Sequence, residues 1–331
     1  LKVDIDVKGG KAVYSVTYDG KQVLEESPLG LTSSIGDFSN GLSLKGYSAN
    51  KIDERYTLDR SKVKDVHYVA NELIVNFVNA RKQEIAVDFR VSNNEIAFRY
   101  NIPQCPDRVN EKKASIRVFG EATGFDFPST TTTFLCPQSD AMIGWKGTKP
   151  SYEEEYAFDA PMGAKHLFNH GFTFPCLFKV PQANENIWVL ISETGVDSHY
   201  CGSHLSEMQG DGLYTIAFPM PEENNGNGTI EPAFALPGST PWRTNTVGNA
   251  RKPIVETTVS WDNVKPLYKS ENTYKYGRGT WSWIVWQDNS INVEDLKAYV
   301  KLAKDMGYEY VLIDNWWDNN IGYARIEELI K

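Results

Sequence analysis

Two tryptophan-rich segments hold the residue types of a sugar-binding rim. Residues 278–289 read RGTWSWIVWQDN and residues 308–319 read YEYVLIDNWWDN. Indole faces stack on the apolar C–H face of a pyranose while flanking polar groups bond its hydroxyls. Trp283 and Trp316 are therefore the candidate stacking residues, with Trp286 and Trp317 as their neighbours. Asp314 closes the apolar run of the second segment and is a candidate partner for a substrate hydroxyl; a structural Asp bonded to loop backbone is the alternative. A second concentration of charge is Tyr152-Glu153-Glu154-Glu155-Tyr156. In an extended chain Glu153 and Glu155 point one way and Glu154 the other, so at most two of these carboxylates could serve one cation, and a solvated acidic run is the alternative. The five histidines form no HExxH pattern. His166 and His170 stand four apart, but their surroundings are too rich in Gly and Phe for a helix, so all five read as loop or core residues. Neither a GxSxG elbow nor a Cys/His nucleophile pattern is present. The four cysteines are widely spaced and read as buried thiols, with one disulfide open.

Such residues need strands to hold them. Between the two segments, Val293, Leu296, Tyr299, Val300, Ala303 and Met306 recur at helical spacing after an N-cap at Asn292 and before Gly307. The residues around WSWIVW read as the strand before this helix, and YEYVLID as a parallel strand after it, apolar enough to be buried on both faces. A right-handed crossover puts residues 283–286 and 314–317 at the same end of adjacent strands. No GxGxxG follows the first strand, which argues against a dinucleotide-binding unit. Strand, helix, strand is how a (β/α)8 barrel opens, and barrels carry chemistry where strands end. Upstream, residues 1–265 read as a large antiparallel β-sandwich. Ile85, Val87, Phe89 and Val91 alternate with Ala86, Asp88 and Arg90, placing the first set on a core and the second in water. Ser92 to Glu95 make a turn, and Ile96, Phe98 and Tyr100 resume the alternation as the second strand of a hairpin. Further strands are expected at Val13 to Tyr18, Leu73 to Phe77 and Ile187 to Ser192. A polar linker, 266–277, leads to the barrel opening at 278–331. Two βα units cannot close a barrel. A net charge of -9 argues against nucleic acid or an anionic membrane as partner. No apolar stretch approaches the roughly 20 residues of a membrane helix, so no membrane span is expected. The first residues lack a signal peptide's apolar region.

GTWSWIVW followed by a helix and MGYEYVLIDNWW, with FPSTTTTF (127–134), PSYEEEY (150–156), ISETG (191–195) and STPWRT (239–244) upstream, resembles glycoside hydrolase family 97 over most of the chain. The resemblance implies a β-super-sandwich, a catalytic (β/α)8 barrel, a small C-terminal β domain, and calcium near the catalytic carboxylates. It implies exo-hydrolysis of α-glycosides with a non-reducing terminal α-linked hexose, by α-glucosidases with inversion or α-galactosidases with retention. It further implies a periplasmic or extracellular protein whose signal peptide has been removed. The sandwich in that family lends a Glu to the metal; Glu153 is the matching position, with Glu193 of ISETG a second candidate. The general acid and its partner carboxylate are implied beyond Lys331, so these residues alone are expected to be inactive. Retention needs carboxyl groups about 5–5.5 Å apart and inversion about 6.5–9.5 Å, a choice this sequence leaves open, as it leaves gluco against galacto specificity. A non-catalytic carbohydrate-binding β-sandwich is the alternative function.

Overall fold

The structure, a computed structural model, describes residues 1–105, 114–141, 155–268 and 270–331. The chain divides into two compact units, Leu1–Pro266 and Leu267–Lys331. Every strand pairing described in the first unit is antiparallel. Its large sheet runs in the order Ala157–Pro161, Thr132–Leu135, Cys176–Pro181, Asn186–Thr194, Trp242–Gly248, Glu95–Ile102, Glu84–Val91, Asp65–Val78 and Ser43–Thr57, with Gly238–Ser239 added beside Glu95–Ile102. Three three-stranded sheets complete the unit, one of them Lys2–Lys8, Lys11–Tyr18 and Lys21–Pro28.

The expected hairpin forms, with Val91 opposite Ile96, Phe89 opposite Phe98 and Val87 opposite Tyr100. Its turn closes through the Ser92 N–H on the Glu95 carbonyl (2.9 Å) and the Glu95 N–H on Ser92 Oγ (3.1 Å). Side chains from the small sheets and one face of the large sheet share one core. Phe89 stacks on Phe98 with ring centres 5.0 Å apart, and Tyr14 from the first small sheet lies 5.3 Å from Phe98. Each such ring, fully buried, contributes roughly 1.5–3 kcal/mol. The buried Tyr14 hydroxyl is satisfied by donating to the Gly124 carbonyl at 2.9 Å. All four cysteines are free thiols, and Cys105, Cys136 and Cys176 are buried.

The outer face of this hairpin departs from expectation, because Ala86 and Asp88 are buried as well. Arg90 and Arg99 lay their guanidinium groups over the ring of Trp242, at 4.6 and 4.2 Å from its centre, and Arg99 pairs with Asp88 at 3.7 Å. Long side chains thus roof the sheet where alternation alone predicts water.

The second unit holds two parallel strands, Gly279–Trp281 and Tyr310–Leu312, joined through the helix Val293–Asp305. Asn292 caps that helix by accepting the Asp295 N–H at 3.0 Å, and Gly307 leaves it at φ +65°. Val293, Leu296 and Ala303 are buried, whereas Val300 and Met306 are exposed. Residues 283–286 were expected in the strand and instead form a helical turn, Trp283–Trp286. The ladder ends where Trp281 meets Leu312. Beyond it the Val285 and Trp286 N–H groups, with no neighbouring strand to bond, donate to the Ser282 carbonyl at 3.1 and 3.0 Å. The second strand is not buried on both faces either, since Tyr310 is 46% and Leu312 53% exposed. Among the described residues the parallel pair and its helix are present, without a closed barrel. No helix among them is long and apolar enough to cross a membrane.

Candidate functional site

The segments that follow the two parallel strands carry Trp283, Asp314 and Trp316, and stacking and hydrogen bonds link the first two through Trp281. Trp281 ends the first strand, and its ring stacks on Trp283 with centres 5.6 Å apart and planes 18° apart. Trp283 donates its indole N–H to Asp288 Oδ1 at 2.8 Å. Trp281 donates its own to Asp314 Oδ2 at 2.6 Å, while the Asn315 N–H reaches Asp314 Oδ1, also at 2.6 Å. A carboxylate offers about four lone-pair sites, so two protein bonds leave Asp314 capacity for a hydroxyl. Trp316 lies two residues further on, half-buried, with its carbonyl accepting the Asn319 and Asn320 N–H groups at 3.1 and 2.8 Å. Trp286 and Trp317 pack instead against Tyr299 and Tyr323, edge to face.

Each of the two segments also carries one non-glycine residue at positive φ. Gln287 sits at φ 56°, ψ -154°, and Trp316 at φ 68°. Non-glycine residues in these regions cost on the order of 1–3 kcal/mol each and persist where their surroundings hold them, commonly at ligand sites. Here buried Ser290 donates to the Gln287 carbonyl (2.7 Å) and shares a hydrogen bond with Ser282 Oγ (2.9 Å), closing the first segment. Thr280 Oγ1 ties the strand to the helix through the Tyr299 carbonyl at 3.0 Å. Of the residues named from sequence, Trp283 and Asp314 are joined through Trp281, which the sequence reading passed over. WSW was its signal, because two indoles so close in sequence can stack on one another.

Glu153 lies outside the described residues. Glu193 is engaged otherwise: it accepts the Ser203 N–H (2.9 Å), the Ser203 hydroxyl (2.7 Å) and Arg243 Nη1. Arg243, 1% exposed, also pairs with Glu121, which accepts in addition from Tyr200 OH (2.6 Å) and Thr123 Oγ1 (3.0 Å). Burial alone would lower the pKa of Arg243, but Glu121, with Tyr200 and Glu193 beside it, outweighs burial and raises it. That network is a lock between strands, and it commits Glu193 to three protein donors. Among the described residues no three His, Cys, Asp or Glu side chains gather as metal ligands. Calcium takes six to eight oxygens, largely from carboxylates, carbonyls and water, and the described carboxylates do not gather to supply them. His166 and His170 do not share a site either; each meets its own carboxylate, Glu207 and Asp140, at 2.7 Å.

Comparison with known proteins settles the family. The sequence model described as "Glycosyl-hydrolase 97 N-terminal" matches residues 1–266. The chain belongs to the glycosyl-hydrolase 97 family. Among curated relatives, a retaining alpha-galactosidase of Bacteroides thetaiotaomicron is 26% identical over all of this chain and 51% of its own length. A probable retaining alpha-galactosidase of Streptomyces bingchenggensis is 25% identical over 96% of this chain and 44% of its own. The chain thus spans about half the length of the curated relatives it matches. Among solved structures, a beta-arabinopyranosidase is 58% identical over 99% of this chain and 51% of that one, with a TM-score of 0.89. A family 97 enzyme from Pseudoalteromonas sp. strain K8, solved with panose, shares the fold at 18% identity and a TM-score of 0.73, over 96% of this chain and 47% of that one.

Proposed function

We propose that the full-length family 97 protein is a retaining exo-glycosidase that removes terminal β-L-arabinopyranosyl groups, with α-D-galactopyranosides as second substrates. The observation that carries this reading is the 58% identity to a beta-arabinopyranosidase across 99% of the chain. The two retaining alpha-galactosidases agree with it in stereochemistry. A β-L-arabinopyranoside and an α-D-galactopyranoside share their ring configuration and differ in the hydroxymethyl group on C5, so one site geometry can serve both. On this reading the parallel strands open a (β/α)8 barrel, and the residues after them face its catalytic end. Asp314 accepts from a sugar hydroxyl, while Trp283 and Trp316 offer indole surface to the ring. The reaction itself needs one carboxylic acid to protonate the leaving oxygen and one carboxylate to attack, set about 5–5.5 Å apart for retention. A non-catalytic carbohydrate-binding sandwich has no observation in its favour. The test follows hydrolysis of an aryl β-L-arabinopyranoside by NMR with the full-length protein. The first sugar released should keep the anomeric configuration of the substrate; an inverted first product, or none, would overturn the reading.

A further inference from the structure

We infer that Trp281 is a positioning residue for substrate binding, whose indole N–H fixes the orientation of the Asp314 carboxylate. The inference rests on the proposed role of Asp314 and adds a residue to it. Trp281 ends its strand opposite Leu312, so parallel pairing brings its side chain beside the segment that carries Asp314 two residues later. The ring has little freedom, because Trp283 is stacked on one of its faces. Its only polar atom, a donor, lies 2.6 Å from Asp314 Oδ2. With the Asn315 N–H on the other oxygen, both ends of the carboxylate are held from the protein side. Rotation about its terminal torsion, otherwise broad, is thereby restricted, and the remaining lone pairs keep a fixed direction. A ligand hydroxyl then meets an acceptor already aimed, which lowers the ordering cost of binding.

Trp281→Phe keeps a smaller aromatic ring for Trp283 and removes the donor, and its combination with Asp314→Ala separates positioning from packing. In the full-length protein this variant should lose roughly 10- to 100-fold in kcat/KM on an aryl β-L-arabinopyranoside, the range for one hydrogen bond to a charged group. Asp314→Ala should lose at least as much, and Trp281→Phe added to it should cost nothing further, because its effect runs through Asp314. An equal loss in both backgrounds, or no loss in the wild-type background, would overturn the inference. A second readout does not depend on turnover. In 1H–15N spectra of residues 1–331, the Trp281 indole proton should be protected from exchange and should shift on Asp314→Ala; an exposed, unmoved resonance would also overturn it. Absence of hydrolysis by the wild-type protein would instead count against the proposed function, leaving the spectra to decide the hydrogen bond.

Discussion

Glu95 begins the central strand Glu95–Ile102, and its carboxyl group lies among acceptors and donors from the end of the first unit. Thr257 Oγ1 donates to it at 2.6 Å and the Thr258 N–H at 3.1 Å, while Thr258 Oγ1 donates to the neighbouring Asp262 at 2.8 Å. Tyr56 OH bonds the other oxygen of Asp262 at 2.6 Å, and Tyr68, Glu72 and Arg90 contribute to the same field. Burial first, and then Asp262 against the Thr257 bond, push Glu95 up from 4.5 to about 7. A carboxyl raised on folding holds its proton more tightly in the folded state. Its contribution is full below the unfolded value and is lost as pH rises through the folded one. The stability of residues 1–331 should therefore fall between about pH 4.5 and 7 by at most about 3 kcal/mol from this group. Glu95→Gln should flatten that slope in thermal melts across the window; an unchanged slope would remove Glu95 as its source. Glu153 is tested at the same scale through the cation. We propose, from the family resemblance, that Glu153 lends its carboxylate to calcium; in the full-length protein Glu153→Gln should then weaken calcium binding about tenfold by calorimetry, and unchanged affinity would take it out of the site.

At the scale of elements, the most demanding contact is Arg243. It leaves the strand Trp242–Gly248 to meet Glu121 of Ser115–Glu121 and Glu193 of Asn186–Thr194, so it joins the large sheet to a small one. Removing the cation leaves two carboxylates without their partner in a buried place. Arg243→Ala should cost about 3–5 kcal/mol in urea unfolding of residues 1–331, and a loss below about 1 kcal/mol would contradict the account. The network was not legible in the sequence, because Arg243 meets Glu193 fifty and Glu121 over a hundred positions away, and Glu193 reads there as a metal candidate rather than an ion-pair partner. The hairpin around Ser92 was legible, since its alternation and turn are local. So were the helix Val293–Asp305 and the Asn292 cap. The turn Trp283–Trp286 was not: its apolar run suits strand or helix, and the end of the ladder decides between them. The outer face of the hairpin failed for another reason. Arg90 reads as solvated but lies over Trp242 together with Arg99, a contact no periodicity reports.

At the scale of the whole molecule, the family was legible from short motifs spread along the chain, and the match over residues 1–266 agrees with them. The sugar was not legible, because gluco and galacto differ in the orientation of one hydroxyl and Trp and Asp suit either. The proposed function places the choice with the arabino and galacto configuration. A site built to bond a hydroxyl in one orientation leaves its polar groups unpaired when the epimer binds, which makes discrimination large. The most direct test is kcat/KM of the full-length protein on aryl β-L-arabinopyranoside, α-D-galactopyranoside and α-D-glucopyranoside measured side by side. The account predicts the arabinopyranoside first, the galactoside second, and the glucoside lower than the first by more than about 100-fold. A glucoside hydrolysed as well as the arabinopyranoside would contradict it.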